Sequence, residues 1–175
     1  MRSAKERREM ASYLKSISRG KIMVGSPMSQ FTSMRVGGIA DVVVAPKDKE
    51  DLLSLLNVIW KEEWPWIAIG AGTNLLVNDD GIEGIVILMA RCLKDINVKD
   101  EMIHAGAGAS LARISYHALK AGLSGIEFAS GIPGSIGGGI AGNAGAFGKS
   151  VGEIIKSVRI IRKDGEKDIP AKDLN

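Results

Sequence analysis

Between Gly131 and Gly148 the chain reads GIPGSIGGGIAGNAGAFG, eight glycines in eighteen residues with no charged side chain among them. Glycine loses more conformational freedom on ordering than any other residue, so a chain that folds with such a stretch must gain something in return. A fibre, a membrane helix or a backbone lying very close to a ligand would each supply that gain. A triple helix is excluded. Gly139, Gly142, Gly145 and Gly148 keep a three-residue period, but Gly137-Gly138-Gly139 breaks it and Pro133 is the one proline of the stretch. Gly134, Gly138 and Gly142 make overlapping GxxxG spacings, yet they do not sit in an apolar run of about 20 residues. NAGAFGKS (143–150) approaches a phosphate-binding P-loop, with Asn143 where the first glycine belongs and no hydrophobic strand just before it. Gly70-x-Gly72 and Gly106-x-Gly108 fall short of a dinucleotide fingerprint, because Leu75 and Leu111 replace the third glycine.

The surrounding chain has an α/β pattern. Residues 3–18 predict a polar helix, solvated and loosely packed, with Met10, Tyr13, Leu14 and Ile17 on one face and Gly20 ending it. ADVVVAP (40–46) predicts a buried strand, 47–61 a helix with Leu52, Leu55, Leu56 and Ile59 on one side, and WIAIGAG (66–72) and GIVIL (84–88) two further strands. Strand, helix, strand is the parallel-crossover order. MIHAGAG (102–108) and 110–121 repeat strand and helix, and 158–169 suggests a hairpin about Asp164-Gly165. AIGAGTNLLV and HAGAGASLARI share strand, Gly-Ala-Gly, hydroxyl residue and leucine, thirty-six residues apart. Either one ligand-approach device is used twice, or two βα turns coincide.

Charge and cysteine content narrow the functions. The net charge is +3, but residues 1–21 hold seven basic against two acidic side chains, leaving −2 for the rest. A basic body suited to nucleic acid is therefore missing. Cys92 is the single cysteine, and His104 and His117 have no metal-ligand spacing, so no metal site is expected. The N-terminus lacks the apolar core of a signal peptide and no run of about 18 apolar residues occurs, which predicts a cytoplasmic protein without a membrane span.

Three glycine-bearing segments, 70–75, 106–110 and 131–145, contain no Lys or Arg. Successive N–H groups without Cβ atoms in the way form anion-binding nests. A large ligand held mainly by main chain follows, and a dinucleotide such as FAD, with a pyrophosphate and a flat ring edged by hydrogen-bonding atoms, suits it.

TSMRVGGIAD (32–41), GAGTNLLVNDDGIEGIVI (70–87), GAGASL (106–111) and GLSGIEFASGIPGSIGGGIAGNAGAFG (122–148), in that order, resemble the UDP-N-acetylenolpyruvoylglucosamine reductases of peptidoglycan synthesis, in their N-terminal half. The resemblance covers about residues 25–175. It implies an α/β (α+β) fold, the two-lobed FAD-binding domain of the vanillyl-alcohol-oxidase type, with the C-terminal substrate domain absent. The expected division is an N-terminal helical extension (1–24), a first lobe (25–89) and an incomplete second lobe (90–175). By the same resemblance Gly70, Ala71, Gly72, Thr73, Asn74 and Leu75 surround the FAD pyrophosphate. Ile132, Pro133, Gly134, Ser135, Gly138, Asn143 and Gly145 line the pyrophosphate and isoalloxazine.

The implied reaction is reduction of a UDP-sugar enolpyruvyl ether, with NADPH reducing the flavin, in a cytoplasmic monomer. The family's activating Arg, proton-donating Ser and assisting Glu are expected beyond Asn175, so no catalytic residue is assigned here and the 175 residues alone are expected not to complete the second half-reaction. Thr73 stands where the family has Ser, and Phe147 where it favours Tyr. Arg35 is open to two roles, a ligand contact or a surface ion pair. Glu127 is expected to be structural. Another FAD-linked oxidoreductase of the same fold, or a non-catalytic flavin-binding fragment, are the alternative functions.

Overall fold

The computed structural model describes residues 2–174. Its first lobe is a four-stranded sheet in the order β1-β2-β4-β3, built from β1 (Lys21–Pro27), β2 (Ile39–Ala45), β3 (Trp66–Ile69) and β4 (Ile82–Leu88). β2, β4 and β3 run parallel, and β1 is antiparallel to β2. Helix α2 (Lys49–Lys61) makes the crossover from β2 to β3. Both faces of the central strands are covered, which is why β2 and β4 are near-continuous apolar runs. Val42, Val44, Ile85 and Ile87 face α2 and helix α1 (Ala4–Ile17). Val43, Ala45, Val86 and Leu88 face the other way, onto Met28, Ile69 and Val77. The alternation is the two-residue period of a strand.

Helix α1 is not the loosely packed extension the sequence suggested. Met10, Ala11 and Leu14 are buried in the first core cluster. Its polar side is tied down as well: Arg7 Nε lies 2.8 Å from Asp41 Oδ1, and Arg2 Nη1 3.4 Å from Asp41 Oδ2. Asp41 is fully buried in β2 and also accepts the Gly84 N–H at 2.9 Å. At the other end of α1, Asp51 of α2 accepts from Arg19 N–H (2.9 Å), Lys47 N–H (2.8 Å) and the Ser18 hydroxyl (3.2 Å). The expected boundary at residue 24 therefore falls inside β1.

The second lobe holds the hairpin of β5 (Ile96–Lys99) and β6 (Met102–Ala105), helix α3 (Leu111–Lys120), and two short helices, α4 (Ile136–Ala141) and α5 (Val151–Ile154). Between those helices β7 (Gly145–Ala146) and β8 (Lys149–Ser150) form a small hairpin, and β9 (Ser157–Arg162) with β10 (Gly165–Pro170) a longer one. The lobe's core is Ala109, Leu111, Ile114, Phe128, Ala129, Ile136 and Val151. Residues 143–150 are thus a hairpin and not a P-loop. Phe147 and Gly148 have φ of +54° and +76°, the paired positive angles of a two-residue type I′ turn.

Helix α4 is the element that propensity argues against, since IGGGIA is half glycine. Ser135 caps it, with Oγ 3.4 Å from the Gly138 nitrogen, and Ile136 and Ile140 pack into the second core. The glycines let the helix come close: a Cβ on Gly137 would lie 2.9 Å from Ala107, and one on Gly139 3.3 Å from Leu111 Cδ1. Packing decides the conformation here.

Candidate cofactor site

The carboxyl ends of the parallel strands are where an open α/β sheet offers its crevice. Strand β3 ends at Ile69 and the chain turns at once through Gly70-Ala71-Gly72-Thr73-Asn74-Leu75. Among the described residues, none of these six N–H groups donates to a protein acceptor. Gly72 is buried and Gly70, Thr73 and Leu75 are half-buried, while Ala71 and Asn74 are exposed. Buried or half-buried N–H groups are nearly always paired, so the run is a site that expects an acceptor from outside. The turn is held rigidly despite this. The Gly72 carbonyl accepts from Ser33 N–H at 3.0 Å, and with φ +66° Gly72 presses against the Phe31 carbonyl where no Cβ would fit. Leu75 and Val77 point into the first lobe's core while Leu76 between them is exposed.

The second lobe meets this turn from the other side. Thr73 Oγ1 donates to the Pro133 carbonyl at 2.9 Å, sixty residues away. A Cβ on Gly70 would overlap Ser135 Oγ, and Gly134, with φ +151°, has Thr73 Oγ1 as its neighbour. Segment 131–138 is fixed from behind by α3 and the 106–110 turn: Leu111 N–H donates to Gly134 O (3.1 Å), Ile136 N–H to Ala109 O (2.8 Å) and Gly137 N–H to Ala107 O (2.9 Å). Two glycine turns from two lobes therefore face each other across one seam, lined by Gly70, Thr73, Pro133, Gly134 and Ser135.

The third segment plays a different part. Gly106, Gly108 and Ala109 N–H groups donate to Asp95, Leu93 and Gly106 carbonyls at 2.8–3.0 Å, and Cβ atoms on Gly106 or Gly108 would strike backbone carbonyls. Residues 106–110 thus support the seam and leave those donors no freedom to bind a ligand. The resemblance between the two Gly-Ala-Gly turns is one of chain path, with free donors in the first only. Gly131 is the reverse case: its φ is unexceptional, no atom lies within 4 Å of where a Cβ would be, and it is exposed.

The remaining expected residues divide by what their side chains do. Ile132 packs against the second core, and its N–H donates to Ala129 O at 3.1 Å. Leu75 likewise serves the core, so for both only main-chain atoms face outward. Asn143, at φ +43°, accepts the Gly152 N–H at its Oδ1 (2.9 Å) and so organises the turn into α5, with its amide NH2 still available. Gly145 pairs with Ser150 in the β7–β8 hairpin, and a Cβ there would lie 2.6 Å from the Lys149 carbonyl. Gly138 is exposed at the start of α4. Glu127 accepts from Gly125 N–H with both oxygens, at 2.9 and 3.0 Å, which is the structural role expected. Its own N–H and that of Gly125 hold its carboxyl below the usual range. A separate cleft of about 490 Å³ between 47–50 and 91–95 is lined by charged side chains, several already paired, as in Arg19–Asp48 and Lys49–Glu166, and lies apart from the seam.

The segment 28–38, part of which belongs to the block TSMRVGGIAD, braces the 70–75 turn, a role not read from its sequence, and its Arg35 sits at φ +54°. The signal was present as SMRVGG, a non-glycine crowning a loop closed by two glycines.

A neutral cradle of free N–H donors fits a diphosphate, and the sequence profile of the FAD binding domain family matches residues 40–167. The chain belongs to that family, and its cofactor is FAD. It is 42% identical over 146 residues to the UDP-N-acetylenolpyruvoylglucosamine reductase of Bacillus pumilus, covering 83% of this chain and 48% of that protein. The reductase of the same name from Bacillus subtilis is 41% identical over the same length and shares. The chain spans about half the length of the curated relatives it matches. Among solved structures, the UDP-N-acetylenolpyruvylglucosamine reductase of Thermus caldophilus superposes with a TM-score of 0.67 at 27% identity, over 88% of this chain and 53% of that one. An alkyldihydroxyacetonephosphate synthase, at 17% identity and TM-score 0.64 over 98% of this chain and 36% of that one, shares the fold. The two-lobed α/β flavin fold expected from the sequence is thereby established. Among the described residues no helix is long and apolar enough to cross a membrane.

Proposed function

We propose that this chain is the FAD-holding part of a UDP-N-acetylenolpyruvoylglucosamine reductase, with NADPH as reductant and a UDP-sugar enolpyruvyl ether as substrate, acting in the cytoplasm as a monomer. The identity of about 40% over most of the chain, spanning every glycine-bearing block of the seam, carries this reading. When bound, the flavin supplies hydride transfer, and the protein supplies placement and exclusion of water.

In this reading the N–H groups of Gly70, Ala71, Gly72, Thr73, Asn74 and Leu75 take the pyrophosphate oxygens. Gly131, Gly134 and Gly138 keep the seam free of side chains so that backbone can approach the ring edge. Ile132 and Pro133 buttress that approach, and the Thr73 hydroxyl locks the two turns to each other. Ser135, committed to capping α4, orients the segment. Asn143 and Gly145 shape the outer edge of the site. Reduction of the enolpyruvyl double bond also needs a proton at one carbon. Glu127 accepts hydrogen bonds that favour its ionised form, which suits a structural role and not proton delivery, and no residue of the seam is assigned that step.

The test follows from the reading. The purified chain titrated with FAD should take up one equivalent and shift the flavin's visible band. The protein carrying these residues should oxidise NADPH with the enolpyruvyl substrate and not with 2-hydroxy acids. A folded chain that ignores added FAD, or turnover with hydroxy acids instead, contradicts it.

A further inference from the structure

We propose that Arg35 is a diphosphate-contacting residue, carried over the free N–H groups of 70–75 by the loop that braces them. This rests on the FAD reading of the seam. The loop closes on itself through Met28 N–H to Gly38 O (2.8 Å) and is clipped to the 72–78 segment at two points, Gly38 N–H to Asn78 O (2.9 Å) and Ser33 N–H to Gly72 O (3.0 Å). Its crown is tightened by Thr32, buried, whose hydroxyl donates to Val36 O at 2.9 Å while Arg35 N–H donates back to Thr32 O at 3.1 Å. Arg35 is thus fixed at its backbone relative to both ends of the 72–78 segment, with an exposed side chain.

Three observations give that side chain a purpose. First, Arg35 occupies φ +54°, a left-handed conformation that an L residue adopts at a cost and that glycine would adopt freely. Gly37 and Gly38 stand just beyond Val36 in the same loop, yet the strained position itself holds an arginine. Second, among the described residues its guanidinium has no carboxylate partner and no hydrogen bond, so the surface ion pair that was its other reading is not formed. Third, neither 62–90 nor 121–148 contains a Lys or Arg. The seam's own segments offer only neutral donors to a ligand with two phosphate charges, and the brace brings a cation. A planar guanidinium matches two phosphate oxygens at once, which a lysine does not. The diphosphate belongs either to FAD or to the UDP portion of the substrate; the chemistry is shared, and the experiment separates them.

Arg35→Gly removes the charge and relaxes the backbone together, while Arg35→Lys keeps the charge and loses the fork. FAD affinity would be read by quenching of flavin fluorescence, UDP affinity by calorimetry, and folding by thermal melting, all on the full chain. We expect Arg35→Gly to bind the diphosphate ligand about tenfold or more weakly, in line with the loss of a charge-assisted hydrogen bond. Its melting temperature should be unchanged or higher, and Arg35→Lys should fall between. A loss of threefold or more for FAD assigns the contact to the cofactor. The same loss for UDP alone assigns it to the substrate. Less than threefold for both overturns the proposal, as does a fall in melting temperature above about 3 °C accompanying the weaker binding, which would make Arg35 a brace only. A wild-type chain that takes up no FAD refutes the FAD reading separately, and the UDP measurement then still decides for or against Arg35.

Discussion

Gly70→Ala is the substitution that most directly probes how the two lobes meet. A methyl group at Gly70 would overlap Ser135 Oγ, and its next neighbour is the Ser135 Cβ at 3.4 Å, an ordinary contact. The obstruction is therefore one oxygen atom on a side chain that can rotate. If Ser135 swings away it gives up its long 3.4 Å bond to the Gly138 nitrogen, a cap worth about 0.5–1 kcal/mol. If the neighbouring turns hold it in place, the seam must open, and overpacking costs about 1–3 kcal/mol. We expect a loss of roughly 1–2 kcal/mol for Gly70→Ala, most of it dependent on the serine hydroxyl. Urea unfolding of Gly70→Ala, Ser135→Ala and the double variant would measure this. Once Ser135 has lost its hydroxyl, the added methyl should cost less than about 0.5 kcal/mol, a coupling near 1 kcal/mol. Additivity of the two single losses within about 0.3 kcal/mol would refute the juxtaposition of Gly70 and Ser135.

Other consequences are open to equally direct measurement. Arg7→Met leaves the buried Asp41 with the Gly84 N–H and the more distant Arg2 and should cost about 3 kcal/mol in urea unfolding, far more than breaking the exposed pair Arg159–Asp168. Burial pushes the Asp51 carboxyl upward, but hydrogen bonds from Lys47, Arg19 and Ser18 outweigh it and hold the group below its usual range. A depressed carboxylate stabilises the fold above the unfolded value of about 3.9 and loses that contribution as pH falls through the folded value. Asp51→Asn should therefore be less stable at neutral pH and show a shallower loss of stability below about pH 4.5. Phe147→Asn should raise stability by about 0.5–1 kcal/mol. The ring is 95% exposed at φ +54°, so nothing buried is lost, and asparagine suits that turn position.

The first lobe was legible because its strands announce themselves. VVVA and IVIL are buried on both faces, and the leucine spacing of 52–59 has no other reading. β1 (Lys21–Pro27) was missed because KIMVGSP mixes exposed and half-buried positions and carries Gly25 at φ +58°, so neither alternation nor a continuous apolar run appears. In the glycine segment, composition showed that something close had to be accommodated, but not what. Gly137 and Gly139 accommodate protein, Ala107 and Leu111. Gly131 faces open space, and Gly134 and Gly138 border the seam. One sequence signal thus covers two physical demands, and only the neighbours distinguish them. The two Gly-Ala-Gly turns teach the same lesson. Their letters agree, yet Gly106 and Gly108 spend their donors on Asp95 and Leu93, while Gly70 and Gly72 do not spend theirs. Hydrogen-bond partners that are distant in sequence decide which turn is free.

The claim on which the functional reading stands is that the six N–H groups from Gly70 to Leu75 receive the FAD pyrophosphate. Amide hydrogen exchange of the chain, with and without saturating FAD, measures it residue by residue. Exchange at 70–75 should slow strongly on adding FAD, with smaller protection across 131–135, while Gly106, Gly108 and Ala109, already bonded, should hardly change. Protection that appears elsewhere while 70–75 continue to exchange freely would contradict the account.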